Sequence, residues 1–215
     1  MVLKLLREYG FYLLLLAIIS EIALPFILAH YYPNYSQINN LISTFGETDS
    51  PTKWAFKIWE IINGTLFVLS APAIYERFKE TNQKFSLILS LMVVVFGIGD
   101  CIITGLFDRA ANESEVDFTS LLHNYASGAG FVALLLGTFL LFLLYRHEKN
   151  EIFIVFLPLI FIAAMVFMFL FAMPKIPIIS QFQVSHRGLW QRLNLWFLYL
   201  PYFLTAIQSL LIKKS

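Results

Sequence analysis

The sequence predicts an all-α integral membrane protein, a bundle of six transmembrane helices with both termini in the cytoplasm. Three observations predict this fold. Hydrophobic residues make up 59% of the chain and charged residues only 13%, whereas an ordinary soluble domain carries roughly 25% charged residues. Six apolar runs are each long enough to cross a bilayer, which takes about 20 residues in a helix. Lys and Arg are also distributed unevenly between the connections, which defines an orientation.

The predicted spans follow one another along a single membrane domain, 1–215. Their hydrophobicity is continuous rather than alternating, which favours helices over the strands of a barrel. The first run follows Lys4 and Arg7 and so resembles a signal peptide, but it is longer than one and no small-x-small cleavage site follows it. We therefore expect it to remain as a span. The six predicted spans are residues 10–31, 54–75, 85–107, 119–145, 151–173 and 189–212.

The basic residues outside the spans predict the orientation. On the side of the N-terminus lie Lys4, Arg7, Arg77, Lys79, Lys84, Arg146, Lys149, Lys213 and Lys214. On the opposite side lie Lys53, Arg109, Lys175 and Arg187. The richer side is expected to be cytoplasmic, in a cell membrane. The outer connections, 32–53, 108–118 and 174–188, are then the longer ones, and long loops tend to carry function.

Ionisable residues inside the apolar runs are the most informative feature. Glu21 lies in the middle of the first span and Asp100 in the third. Lys57 and Glu60 share one face of the second span because they are three residues apart. A charge near the bilayer centre costs about 2.5–3.5 kcal/mol on insertion scales, so such groups face the bundle interior or water.

Counted by helical rise, these polar groups gather in the outer half of the bundle. We predict a polar cavity there that opens outward. Its predicted ligand-binding residues are Glu21, Lys57, Glu60, Asn63, Asp100, His123 and Arg192. Three acids against two bases leave one surplus negative charge, which a proton or a bound cation would balance. The structural alternatives are an interfacial Lys57–Glu60 pair and interhelical hydrogen bonds from Glu21 and Asp100.

The leading functional hypothesis is a non-enzymatic protein that binds or moves a small polar or amphipathic ligand, such as a lipid headgroup. Arg192 and His123 suit a phosphate, whereas Glu21 and Asp100 suit a cation or an amine. No cofactor is predicted. The bilayer is the expected environment, and a net charge of +1 provides no basic surface for nucleic acid.

Two other hypotheses remain open. The first is an intramembrane metal-assisted hydrolase that uses Asp100, His123 and His186, although no HExxH spacing brings metal ligands together. The single cysteine, Cys101, excludes a disulfide within the chain and a zinc site built from cysteines. The second is a regulatory or assembly partner of another membrane protein. Its docking face would be formed by the small residues of the third and fourth helices, namely Gly97, Gly99, Gly105, Ala126, Gly128 and Gly130.

Several short motifs carry a family resemblance. They are Ser43-Thr44-Phe45-Gly46 with Ser50-Pro51, Gly97-Ile98-Gly99, Gly105-Leu106-Phe107, His123, and Gly188-Leu189-Trp190-Gln191-Arg192. With these motifs the chain resembles, over about 10–212, the six-span membrane proteins grouped as domain of unknown function 998. Thr44, Asp108 and Gln191 depart from the family pattern. The resemblance implies the six-span fold and supplies no catalytic residues, because the family has no assigned activity.

Overall fold

Six long helices make up the protein. The computed structural model describes residues 1–108, 118–175, 178 and 184–212. The helices are α1 (Val2–Ala29), α2 (Lys53–Phe78), α3 (Gln83–Leu106), α4 (Phe118–His147), α5 (Glu151–Ala172) and α6 (Arg187–Ile212). Each is long and apolar enough to cross a membrane, which confirms the predicted all-α fold with six spans. The protein is therefore a multi-pass integral membrane protein.

The helix ends differ from the predicted spans by a few residues, except at α1. That helix begins at Val2 rather than near residue 10. Lys, Arg and Glu are good helix formers, so the helix continues through the polar residues where the apolar run has stopped. At the starts of α3 and α5 the side chains of Asn82 and Asn150 accept hydrogen bonds from the backbone N–H groups of Phe85 (3.0 Å) and Phe153 (3.4 Å). These N-caps fix where each helix begins.

The six helices form a closed ring. Each packs against its neighbours in the sequence, and α6 packs against α1. Inside the ring, the Phe96 ring packs edge-on against Phe67 and Tyr199, with centroids 4.8 and 5.8 Å apart. α5 is the most peripheral helix, because 17% of its apolar stretch is buried against 39–44% in the others. Its outer face is therefore left to lipid.

The predicted close approach of the third and fourth helices is confirmed. A Cβ atom added at Gly99 would lie 2.7 Å from a backbone oxygen of α4, and one added at Gly130 would lie 2.7 Å from the Cβ of Asp100. Gly97 instead faces α2, and Gly128 faces open space. Most of the small residues are thus used inside the bundle, where they bring backbones into contact.

α3 changes its winding around Asp100. It is α-helical over Gln83–Phe96, a π-helix over Gly97–Ile103, and α-helical again over Thr104–Leu106. π turns are rare and occur frequently at functional sites. The hydrophobic pattern does not predict this segment, because the residues on both sides of Asp100 are as apolar as those of an α-helical span.

One end of the bundle is fixed by an ionic contact between the last turn of α2 and the α4–α5 connection. The guanidinium of Arg77 donates two hydrogen bonds to the Glu148 carboxylate, at 2.6 and 2.8 Å. The hydroxyl of Thr81 donates a third, at 2.8 Å. The bidentate pair links α2 to the α4–α5 connection, and Thr81 links the α2–α3 connection to the same carboxylate.

Candidate functional site

Polar side chains from α1, α2 and α3 meet in the interior of the bundle. They are Glu21, Glu60, Asn63 and Cys101, with exposed fractions of 7%, 6%, 1% and 1%. One carboxylate oxygen of each glutamate and the sulfur of Cys101 all lie within 4.8 Å of one another. Two acids that are far apart in the sequence are therefore neighbours, as predicted.

Hydrogen bonds orient the Glu21 carboxylate within this group. The Asn63 amide donates to Oε1 of Glu21, and the hydroxyl of Ser20 donates to Oδ1 of Asn63 at 2.9 Å. The Cys101 thiol donates to the same Glu21 oxygen at 3.7 Å. The hydroxyl of Tyr199 on α6 lies beside Glu21, is 98% buried (2% exposed), and makes no hydrogen bond of normal geometry.

Asp100 belongs to the same interior but faces α4. Its carboxylate accepts a hydrogen bond from the hydroxyl of Ser127, and its backbone oxygen accepts one from Thr104. Asp100 and Cys101 both lie in the π segment of α3. Consecutive residues of this segment thus serve two sides of the site, Asp100 towards α4 and Cys101 towards α1 and α2.

A cavity of about 40 Å³ separates the three acids. Its wall includes Glu21, Glu60, Asp100 and His123, together with the chain around Ile42 between α1 and α2. A single water needs about 10–15 Å³ of such volume. The cavity therefore has room for a few water molecules or one small ion.

Lys57 does not line this cavity, which corrects its predicted role. Its ammonium group donates to the Asp108 carboxylate and, at 3.2 Å, to the backbone oxygen of Leu106. Lys53 also pairs with Asp108, at 2.6 Å. Partial burial opposes ionisation of Asp108, but the hydrogen bonds from both lysines outweigh it and lower its pKa below the ordinary value. Lys57 is drawn to the rim because this acid stands just beyond the end of α3.

Arg192 is likewise absent from the wall of the main cavity. Its guanidinium donates to the side chains of Gln37 (2.7 Å) and Tyr35 (2.6 Å) and to the backbone oxygens of Asn40 (3.0 Å) and Gly188 (2.9 Å). Burial raises the pKa of Tyr35 to about 12, an effect that the neighbouring guanidinium partly offsets. Arg192 shares with Glu21 only a separate void of about 10 Å³. Its role in this structure is to clamp the first connection onto α6.

The histidines do not converge on Asp100. His123 lines the cavity, with Nδ1 3.0 Å from the backbone oxygen of Phe107. His186 is exposed, and its Nδ1 lies 3.0 Å from the hydroxyl of Ser185. Among the described residues, the donors close enough to hold a metal ion are Glu21, Glu60 and Cys101. The predicted candidates Asp100, His123 and His186 do not form such a group there.

Sequence reasoning missed Cys101, Tyr199 and Ser127 as members of the site. A lone cysteine in an apolar helix usually behaves as a small hydrophobic residue, and Tyr199 lies in an aromatic run. The sequence position of Cys101 could have indicated its role, because it directly follows the intramembrane Asp100. Asn63, predicted as a ligand-binding residue one helical turn from Glu60, lies beside Glu21 and donates to it.

Comparison with known proteins agrees with this architecture. The family model described as "Protein of unknown function (DUF998)" matches residues 15–208. The chain belongs to this family. No curated protein and no solved structure matches it. The DUF998 match begins midway along α1, covers the next four helices in full and ends four residues before the end of α6. It includes every residue of the buried cluster, so the site lies within the family domain.

Proposed function

We propose that this DUF998 protein binds a small cation in the acid-lined cavity between its helices. The observation that carries the proposal is the convergence of Glu21, Glu60 and Asp100 around a space of about 40 Å³. Glu21 and Glu60 are buried next to each other, and two ionised carboxylates buried together without a counter-charge are strongly destabilising. A bound cation would supply that charge.

The positions of the basic residues support this proposal. Lys57 is paired with Asp108, and Arg192 is engaged by the first connection and by α6. His123 is the only basic side chain in the cavity wall among the described residues. The two bases expected to offset the three acids are thus committed elsewhere.

Cavity size favours the small polar ligand over the lipid headgroup that the sequence also allowed. Pockets for drug-sized ligands have volumes of about 300–1,000 Å³, far above the 40 Å³ found between the acids. The existence of a polar cavity also favours ligand binding over a purely assembly-partner role, for which a fully packed polar network was expected.

The experiment is thermal unfolding of the purified full-length protein in detergent with a series of chloride salts. The cations are Na⁺, K⁺, Mg²⁺, Ca²⁺, Mn²⁺, Zn²⁺ and methylammonium. A cation at 100 times its Kd stabilises the folded state by about 2.7 kcal/mol, which raises the Tm of a chain of this size by roughly 5–10 °C. Glu21→Gln and Asp100→Asn keep the acceptor oxygens and remove the charges, so we expect both to abolish the shift.

Asp108→Asn is the matched control, because it removes an acid outside the cavity and should leave the cation-dependent shift in place. The proposal is wrong if none of the cations raises the Tm of the wild type. It is equally wrong if the double variant Glu21→Gln, Asp100→Asn shows the same shift as the wild type.

We also propose that the protein lies in a cell membrane with both termini in the cytoplasm, so that the cavity is in the exoplasmic half. The excess of Lys and Arg at the end with the termini supports this orientation. A reporter that is active only in the cytoplasm, fused after residue 212 or inserted near residue 48, tests it. Activity of the insertion near residue 48 would reverse the orientation.

A further inference from the structure

We infer that Glu21, Glu60 and Cys101 form a site for a thiophilic divalent metal ion such as Zn²⁺. This inference rests on the proposed cation binding and names the class of ion. Three different helices supply the donors, α1, α2 and α3. The bundle fold therefore assembles the site, which no local spacing motif in the sequence encodes.

The distances between the donors fit a tetrahedral ion. With bonds of about 2.3 Å to sulfur and 2.0–2.2 Å to oxygen, a tetrahedral Zn²⁺ site separates sulfur from oxygen by about 3.6 Å. The sulfur of Cys101 lies 3.7 Å from Oε1 of Glu21. One oxygen of Glu60, one oxygen of Glu21 and the sulfur of Cys101 all lie within 4.8 Å of one another. A small side-chain rotation of Glu60 would complete three corners of the tetrahedron.

An independent observation points to a ligand at the same place. The Tyr199 hydroxyl is buried, has no hydrogen bond of normal geometry, and is close enough to Glu21, Glu60 and Cys101 to interact electrostatically with each. Polar groups buried this deeply are nearly always satisfied. A metal-bound water, or the metal itself, would satisfy Tyr199 and fill the fourth corner.

The surroundings supply the orientation that a metal site needs. Asn63 donates to Glu21 and is itself held by Ser20, which is the outer support that fixes ligating carboxylates in metal sites. The cavity borders both Glu21 and Glu60, so two of the three donors face polar space. Binding at Cys101 forms the sulfur–metal bond and releases the thiol proton to water.

The sulfur donor selects the ion. Carboxylates alone suit Mg²⁺ and Ca²⁺, whereas a thiolate favours Zn²⁺ and its relatives. A divalent ion also offsets two of the three negative charges that the ionised glutamates and the Cys101 thiolate carry together. A hard cation would use the carboxylates of the cavity and ignore Cys101, which separates this inference from the broader proposal.

The test uses Co²⁺ as a spectroscopic substitute for Zn²⁺, titrated into the metal-free full-length protein in detergent. We expect a saturable near-ultraviolet band from sulfur-to-cobalt charge transfer, with the visible bands of tetrahedral Co²⁺, both displaced by Zn²⁺ and unaffected by Mg²⁺. Cys101 is the only cysteine of the chain. Cys101→Ser, nearly isosteric, should therefore abolish the charge-transfer band.

Two further variants keep the thiol and so guard against misfolding of Cys101→Ser. Glu60→Gln should weaken Co²⁺ binding at least tenfold. Asn63→Ala should weaken it about 10–100-fold without changing the shape of the spectrum, since it removes only the support of Glu21. Asp108→Asn should bind Co²⁺ like the wild type.

The possible results separate the two proposals. If cations stabilise the protein through Glu21 and Asp100 but Co²⁺ gives no charge-transfer band, the thiolate site is wrong and the cation proposal stands. If Cys101→Ser binds Co²⁺ as tightly as the wild type, the thiolate site is also wrong. If no cation binds in either experiment, both proposals fail.

Discussion

Gly64 is a position where one added methyl group is expected to force two helices apart, because α2 touches α3 there. A Cβ atom at Gly64 would overlap the backbone oxygen of Gly97 and lie 2.7 Å from the Cβ of Cys101 and 2.8 Å from Cγ1 of Ile102. A backbone oxygen cannot rotate away, so the two helices have to separate. Overpacking of this kind costs about 1–3 kcal/mol, and the rigid contact places Gly64→Ala in the upper half of that range.

A matched control lies on α4. A Cβ atom at Gly128 meets nothing within 4 Å, so Gly128→Ala has no packing cost. Both variants gain about 0.4–1 kcal/mol from the restricted unfolded chain. This gain is common to both variants and cancels when they are compared. Gly64→Ala should therefore be less stable than Gly128→Ala by the packing cost, about 2–3 kcal/mol.

The assay is thermal unfolding of the full-length protein in detergent, followed by the fluorescence of its 4 tryptophans. At about 2–4 °C per kcal/mol, the Tm of Gly64→Ala should lie roughly 4–12 °C below that of Gly128→Ala. Because Cys101 is displaced as well, Co²⁺ binding should weaken in Gly64→Ala only. A Tm for Gly64→Ala equal to or above that of Gly128→Ala would refute the proposed close contact of α2 and α3.

Three further predictions follow from the contacts outside the cavity. Arg192→Lys keeps the charge but loses the planar fork that reaches several acceptors, so the free energy of unfolding should fall by about 3 kcal/mol; an unchanged urea midpoint would contradict the clamp. Asp108 has a lowered pKa, so its stabilising contribution is present above its unfolded value of about 3.9 and is lost as the pH falls through the lower folded value. The difference in Tm between the wild type and Asp108→Asn should therefore be constant at neutral pH and shrink at acidic pH, and a difference that grows on acidification would reverse this sign. Glu148→Gln should lower the free energy of unfolding by about 1–3 kcal/mol, and adding Arg77→Met should lower it little further in a double-mutant cycle; full additivity would show that the pair does not interact.

The sequence predicts the helices well because a bilayer imposes one simple rule. Each span needs a long apolar run, and all six runs are visible without knowledge of packing. The ends are less predictable, as α1 shows, because Lys4 and Arg7 can continue a helix outside the hydrocarbon. The π segment of α3 is invisible to the same rule, since its hydrophobicity does not differ from that of an α-helix.

The buried site is predictable where burial itself is the signal. Glu21, Glu60 and Asp100 are too costly to face lipid, so their convergence follows from energetics. Lys57 and Arg192 are less predictable for the opposite reason, and neither lines the cavity. Both residues lie near helix ends, where hydrogen-bond acceptors in the connections compete for their charged groups. The sequence does not indicate that Lys57 pairs with Asp108 or that Arg192 bonds to Tyr35.

Closure of the ring has a topological consequence. Since α1 and α6 are neighbours, one groove is bordered by residues from both ends of the described chain, namely Lys4, Arg7, Ser209 and Ile212. The packing of the ring therefore does not depend on which helix comes first in the sequence. A short peptide joining residue 212 to residue 2, with new ends opened at the exposed Lys149, would keep every helix interface. Such a circularly permuted chain should fold to the same bundle.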